Sequence, residues 1–166
     1  GSYAVQIAKA SGAVVTGVCR TEKVDMVRST GADEVIDYTQ GDFTSGERRY
    51  DVILDTGGAT SLPRPRALLQ PKGTLVIVGA ERAGTRLFGG LSRQIRAHLL
   101  SPFVGQKLGT FVAGENSADM IELTKLTEAG EMRAVIDRTF PLAEAADAIR
   151  YLEQGHPAGK IVVAVP

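Results

Sequence analysis

Two cations stand at the end of a short apolar run in Gly17-Val18-Cys19-Arg20-Thr21-Glu22-Lys23, and no acid occupies the tip at Cys19-Arg20. Lys23 falls in the first turn of the helix expected next, where the positive end of the helix dipole disfavours its charge. A bound anion removes that conflict, and both Arg20 and Lys23 are long enough to reach a phosphate. The competing reading makes them ordinary solvated charges with Glu22 between them. Groups for acid, base or nucleophilic work are sparse. His98 lies on an expected helix beside Leu99 and Leu100, and His156 in the turn Gly155-His156-Pro157. Asp51 and Asp55 flank a buried strand, and Asp55 is better suited to holding a loop than to abstracting a proton. No Ser/His/Asp or Cys/His constellation can be assembled, so no catalytic residue is assigned.

The elements that must position these cations follow a repeating rhythm. Val14-Val15-Thr16-Gly17-Val18 comes after Gly12, Glu34-Val35-Ile36-Asp37 after Gly31, Asp51-Val52-Ile53-Leu54 after Gly46, and Thr74-Leu75-Val76-Ile77-Val78 after Gly73. These nearly unbroken apolar runs predict strands buried on both faces of a parallel sheet. Ala4, Ile7 and Ala8, and again Val24 and Val27, give narrow apolar helical stripes to lay on it. Up to about residue 80 the expected order is helix, strand, helix, strand, strand, helix, strand. Leu91 to Leu100 then reads as a helix and Leu108 to Ala113 as the last strand of the sheet. Asn116 or Ser117 can cap a helix from Ala118 to Ala129, which Gly130 ends. Val135 to Phe140 reads as a strand, Leu142, Ala145, Ala146, Ile149 and Leu152 as a helical stripe, and Ile161 to Val165 as a final strand. Strands alternating with helices mean α/β.

Five stretches carry a resemblance: "GSYAVQIAKASGA", "GADEVIDY", "YDVILDTGG", "PKGTLVIVG" and "VIDRTFPLAEAADAIRYLEQGHPAGKIVVAV". In order and spacing the chain resembles the second half of a medium-chain dehydrogenase/reductase, in the quinone-oxidoreductase-like branch. The resemblance implies a Rossmann-type doubly wound parallel sheet without its first strand and glycine loop in this chain. Residues 1–130 would be the nucleotide-binding domain, and 131–166 a segment returning to a GroES-like catalytic domain that precedes it. Gly1 would be at best the last residue of the loop that presents N–H groups to a pyrophosphate. The chain alone is expected to be inactive.

The same resemblance assigns a cofactor site. Domains of this type that prefer NAD carry an acid near the end of the second strand, where it repels a 2′-phosphate. Arg20 and Lys23 stand there instead, and Tyr38 resembles the family's tyrosine beside that phosphate, unless it merely caps the core edge. NADP(H) is therefore favoured over NAD(H). Thr56, Gly57, Gly79, Ala80, Phe111 and Val112 fall at carboxyl ends of later strands, the edge where open α/β sheets bind ligands. Read without the resemblance, Gly57 and Gly79 simply serve turns. Gly57 departs from the bulkier residue usual in the family. Ala158 replaces a frequent arginine, leaving Lys160 as the nearby cation. The function implied is hydride transfer from NADP(H) to a quinone, an enone or another activated carbonyl compound, which asks of the protein mainly positioning. A zinc-dependent alcohol dehydrogenase is the alternative, although zinc ligands are not expected within these residues. A non-catalytic fragment acting as an assembly unit is an alternative of another class.

Composition bounds the partners. Lys plus Arg and Asp plus Glu number 19 each, so no net field draws a polyanion, and nucleic acid is not expected. With 43% apolar residues the chain can build a core, yet no apolar run approaches a membrane span. One cysteine, Cys19, points to a reducing compartment, and the cytoplasm is the expected location. A small-molecule substrate and a homodimer formed through the edge strand Leu108 to Ala113 complete the expectations.

Overall fold

A computed structural model describes residues 1–56, 61–78, 105–111, 114, 116–155 and 157–166. They divide into two compact units, Gly1–Phe43 with Asn116–Pro166, and Thr44–Glu115. The first unit opens with helix α1 (Ser2–Ala10), strand β1 (Thr16–Cys19), a 3-10 turn at Thr21–Lys23 that leads into α2 (Val24–Ser29), and β2 (Glu34–Asp37). The second holds β3 (Tyr50–Asp55), α3 (Pro63–Ala67), β4 (Leu69–Val78) and β5 (Lys107–Phe111). The chain then returns to the first unit with α4 (Ser117–Glu128), β6 (Ile136–Pro141), a 3-10 turn at Leu142–Glu144, α5 (Ala145–Glu153) and β7 (Lys160–Ala164). The order through residue 78 is the expected one, and the expected helix Leu91 to Leu100 lies outside the described residues.

Every strand pair is parallel: β1 with β2, β3 with β4, β4 with β5, and β6 with β7. The α/β class inferred from the alternation of strands and helices holds. Burial on both faces does not hold for all strands. Leu75 and Ile77 of β4, the central strand of its sheet, are buried with Leu62, Leu69 and Leu108, and Ile53 packs against them. Val52 and Leu54, on β3 at the sheet's edge, are exposed, as is Val18 of β1. An edge strand has a neighbour on one side only, so its outward-facing residues gain less cover.

The start of β1 also differs from expectation. Val14 is 81% exposed, and the strand begins at Thr16. Val15 is used in the loop: its N–H donates to Asp33 Oδ2 at 2.7 Å, and its carbonyl accepts from the N–H groups of Asp33 and Glu34. Lys9 of α1 closes the corner, with Nζ 2.8 and 2.9 Å from the two Asp33 carboxylate oxygens. Close approach of α2 requires Gly17, because a Cβ there would lie 2.5 Å from Val27 Cγ1. The register advances five positions along β4, from 69 to 74, while it advances two along β3, from 50 to 52, so the stretch Pro71-Lys72-Gly73 becomes an irregularity inside a longer strand. At α4, Asn116 Oδ1 accepts from the Ala118 N–H at 2.9 Å, which settles the cap on Asn116. On α5 only Ala148 is buried, whereas Leu142, Ile149 and Leu152 of the expected stripe are exposed. Among the described residues no helix is long and apolar enough to cross a membrane.

The Lys9 ammonium and the Val15 N–H hold the Asp33 carboxyl below the ordinary carboxylate range. A carboxyl whose pKa is depressed on folding stabilises above its unfolded value of about 3.9 and loses that contribution as pH falls through the folded value. Asp33→Asn should therefore lower the urea midpoint at neutral pH and flatten its acid limb. An acid limb as steep in the variant as in the parent would assign the titration to another carboxyl.

Candidate cofactor site

The tip of β1 and the tip of β2 lie side by side, with Cys19 paired to Asp37 and the Tyr38 N–H donating to the Cys19 carbonyl at 3.1 Å. The residues that follow each strand are thereby brought together. Arg20 Nε donates to the Tyr38 hydroxyl at 2.7 Å. This bond, with the nearby Glu22 charge adding to it, holds the guanidinium firmly protonated. Tyr38 is 43% exposed, so the pair faces solvent.

Lys23 follows through the 3-10 turn, in which its N–H donates to the Arg20 carbonyl at 2.9 Å. Its Nζ donates to the Pro157 carbonyl, also at 2.9 Å, which ties the end of β1 to the loop before β7. Lys160 opens β7 and lies over the Tyr3 ring of α1, 4.9 Å from the centroid. Gly1 stands at the start of α1, and the charges of Lys160 and Lys23 both reach it, so the two cations lie near the N-terminal end of that helix. Among the described residues, Arg20, Lys23 and Lys160 form no ion pair with a carboxylate. Lys23 and Lys160, near a helix N-terminus and with no ion pair among the described residues, suit a phosphate.

The remaining expected positions divide. Thr56, exposed, follows the end of β3, and Phe111 ends β5 in register with Val78. Both therefore stand at carboxyl ends of parallel strands. Gly57, Gly79, Ala80 and Val112 lie outside the described residues. Sequence reasoning missed the group around Asp37: Thr21 Oγ1 donates to its Oδ2 at 2.5 Å, and Thr39 donates to its Oδ1 through both N–H, at 2.9 Å, and hydroxyl, at 2.7 Å. An Asp followed two residues on by a hydrogen-bonding residue at a strand end is a turn signal that could have found half of it. The Pro157 carbonyl carried no signal at all. Among the described residues no three His, Cys, Asp or Glu side chains gather to hold a metal.

Residues 30–163 match the family model of zinc-binding dehydrogenases. The chain is 37% identical to the mitochondrial NAD(P)H oxidoreductase RTN4IP1 of Mus musculus, an alignment covering 99% of this chain and 45% of that protein. It is 30% identical to the chloroplastic NADPH-dependent alkenal/one oxidoreductase of Arabidopsis thaliana, covering 98% of this chain and 37% of that one. The solved quinone oxidoreductase of Coxiella burnetii superposes with a TM-score of 0.81 at 25% identity, over 100% of this chain and 49% of its own. The chain spans about half the length of the relatives it matches or less. With a family model matched across most of its residues and a parallel α/β fold shared with a quinone oxidoreductase, the chain belongs to the zinc-binding dehydrogenase family, among the medium-chain dehydrogenases/reductases.

Proposed function

We propose that this chain is the cofactor-binding part of an NADP(H)-dependent oxidoreductase that transfers hydride to a quinone, an enone or another activated carbonyl compound. The observation that carries the reading is the Arg20–Tyr38 pair at the β1 tip, with Lys23 one turn away and, among the described residues, no carboxylate paired to either cation. Arg20 and Lys23 would bind the 2′-phosphate, and Lys160 with the start of α1 would face the pyrophosphate. When bound, the cofactor supplies the hydride chemistry and the protein supplies orientation. Relatives named for NAD(P)H and NADPH support the cofactor class.

Calorimetric titration of the full-length protein tests this. Arg20→Ala with Lys23→Ala should raise the Kd for NADPH by at least about tenfold, since charge-assisted hydrogen bonds to phosphate are the strong ones, and leave NADH nearly unchanged. Equal losses for both cofactors would return the two cations to ordinary surface charge. The division proposed for the protein is a nucleotide domain over residues 1–130 and a segment 131–166 directed to a catalytic domain. A homodimer through β5, the terminal strand of its described sheet, belongs to the same proposal. A monomer mass for the full-length protein in solution scattering would remove the dimer.

A further inference from the structure

Asp37 poses a problem for a phosphate site. It is the register partner of Cys19, one residue from Arg20 on the neighbouring strand tip. Its charge reaches the same place as the cations do. Burial and then Asp37 push the Cys19 thiol up, while Lys23 and Arg28 pull it down. A free carboxylate here would pair with Arg20 or Lys23, or repel an incoming phosphate. It does neither. Both of its oxygens are occupied by three donors, the Thr21 hydroxyl, the Thr39 hydroxyl and the Thr39 N–H. Each hydroxyl has one proton to give. The two threonine oxygens also lie 2.9 Å apart, so the hydroxyls and the carboxylate form one connected group. The same bonds hold the Asp37 carboxyl below its ordinary range, so it stays charged and stays bound.

We propose that Thr21 and Thr39 are specificity-determining positioning residues: by occupying both oxygens of Asp37 they keep its charge away from Arg20 and Lys23, which stay available to a cofactor's 2′-phosphate. The inference rests on the NADP(H) reading of the site. It assigns discrimination to a competing ion pair that is prevented, and not only to contacts that are made. Asp37 itself touches no cofactor in this account. Its neighbourhood includes Glu22, which lies close enough to reinforce the Arg20 charge and carries no such restraint.

The test uses the full-length enzyme and steady-state kinetics with both cofactors. Thr21→Val with Thr39→Val removes the two hydroxyls and keeps shape, and should raise the KM for NADPH about tenfold while kcat and the KM for NADH stay put, because an ion pair to Arg20 or Lys23 competes with the phosphate alone. Adding Asp37→Asn to the double variant should restore the NADPH value, since the released charge is then gone. Thr21→Val alone, which frees one carboxylate oxygen, should shift the same parameter in the same direction by less, and serves if the double variant does not fold. Equal rises for NADPH and NADH, or no recovery with Asp37→Asn, would overturn the proposal and leave the threonines as strand-tip braces. A parent enzyme that prefers NADPH while both threonine variants keep that preference overturns it alone. A parent that uses the two cofactors alike overturns the NADP(H) reading, and this proposal with it.

Discussion

Gly159→Ala is expected to destabilise the protein by about 3 kcal/mol, the upper range for forcing atoms into a packed site, and to weaken binding at the cation group as well. A Cβ at Gly159 would lie 2.3 Å from the Val135 carbonyl oxygen, 3.0 Å from its carbon and 3.1 Å from the Asp137 nitrogen. All three are backbone atoms of the β6 entry, with no flexible side chain to move aside. The strands can separate only by breaking the 2.6 Å bond from the Lys160 N–H to the Val135 carbonyl. That bond is the one that seats Lys160 at the start of β7. Urea unfolding of the full-length protein reads the first effect and NADPH titration the second. A midpoint unmoved by the alanine would mean that this backbone yields freely.

Gln6→Leu is expected to cost a comparable amount. Gln6, the buried residue of α1, donates from Nε2 to the Arg133 carbonyl at 3.1 Å and accepts the Arg133 N–H on Oε1 at 2.8 Å. One side-chain amide thus satisfies both backbone polar groups of one residue in another segment, as a neighbouring strand would. Leucine matches the volume and satisfies neither. Each buried group left unpaired costs about 1–3 kcal/mol, which places the total at about 2–4 kcal/mol after partial hydration. The urea midpoint should fall with an unchanged slope. A loss well under 1 kcal/mol would show that water replaces the amide at no cost, on the scale of net hydrogen-bond contributions of about 0.5–1.5 kcal/mol.

What could be read from residue order was local. The alternation of β-branched runs with helical stripes predicted each element through Val78, because each rests on contacts within a few residues. Expectations failed where a distant partner decides. Val14 and Val15 read as strand, but the Asp33 carboxylate claims the Val15 N–H across 18 residues. Leu142, Ile149 and Leu152 read as a core-facing stripe, and periodicity alone does not say whether anything covers a stripe. At the site, Arg20 and Lys23 were visible as cations without a neighbouring acid, while Tyr38 entered through resemblance. The bond that joins Lys23 to Pro157 spans 134 residues and left no local trace. Asp37 was overlooked because an acid closing the expected strand Glu34–Asp37 looked like part of a strand end. Its restraint by Thr21 depends on two strand tips meeting in register.

The Gln6 clamp also sets a timetable. It joins residues 127 apart in the chain, and the unit it closes is discontinuous, with Thr44–Glu115 inserted between its two halves. During synthesis the inserted unit is complete before the outer one can close. At about 5–20 residues per second, the ribosome needs on the order of 5–20 s to travel from Phe43 to Arg133. For that interval α1 waits without the segment that it binds, and Gln6 has no backbone to hold. Delay of this kind favours handover to a chaperone, and it makes translation speed between those two points a determinant of yield.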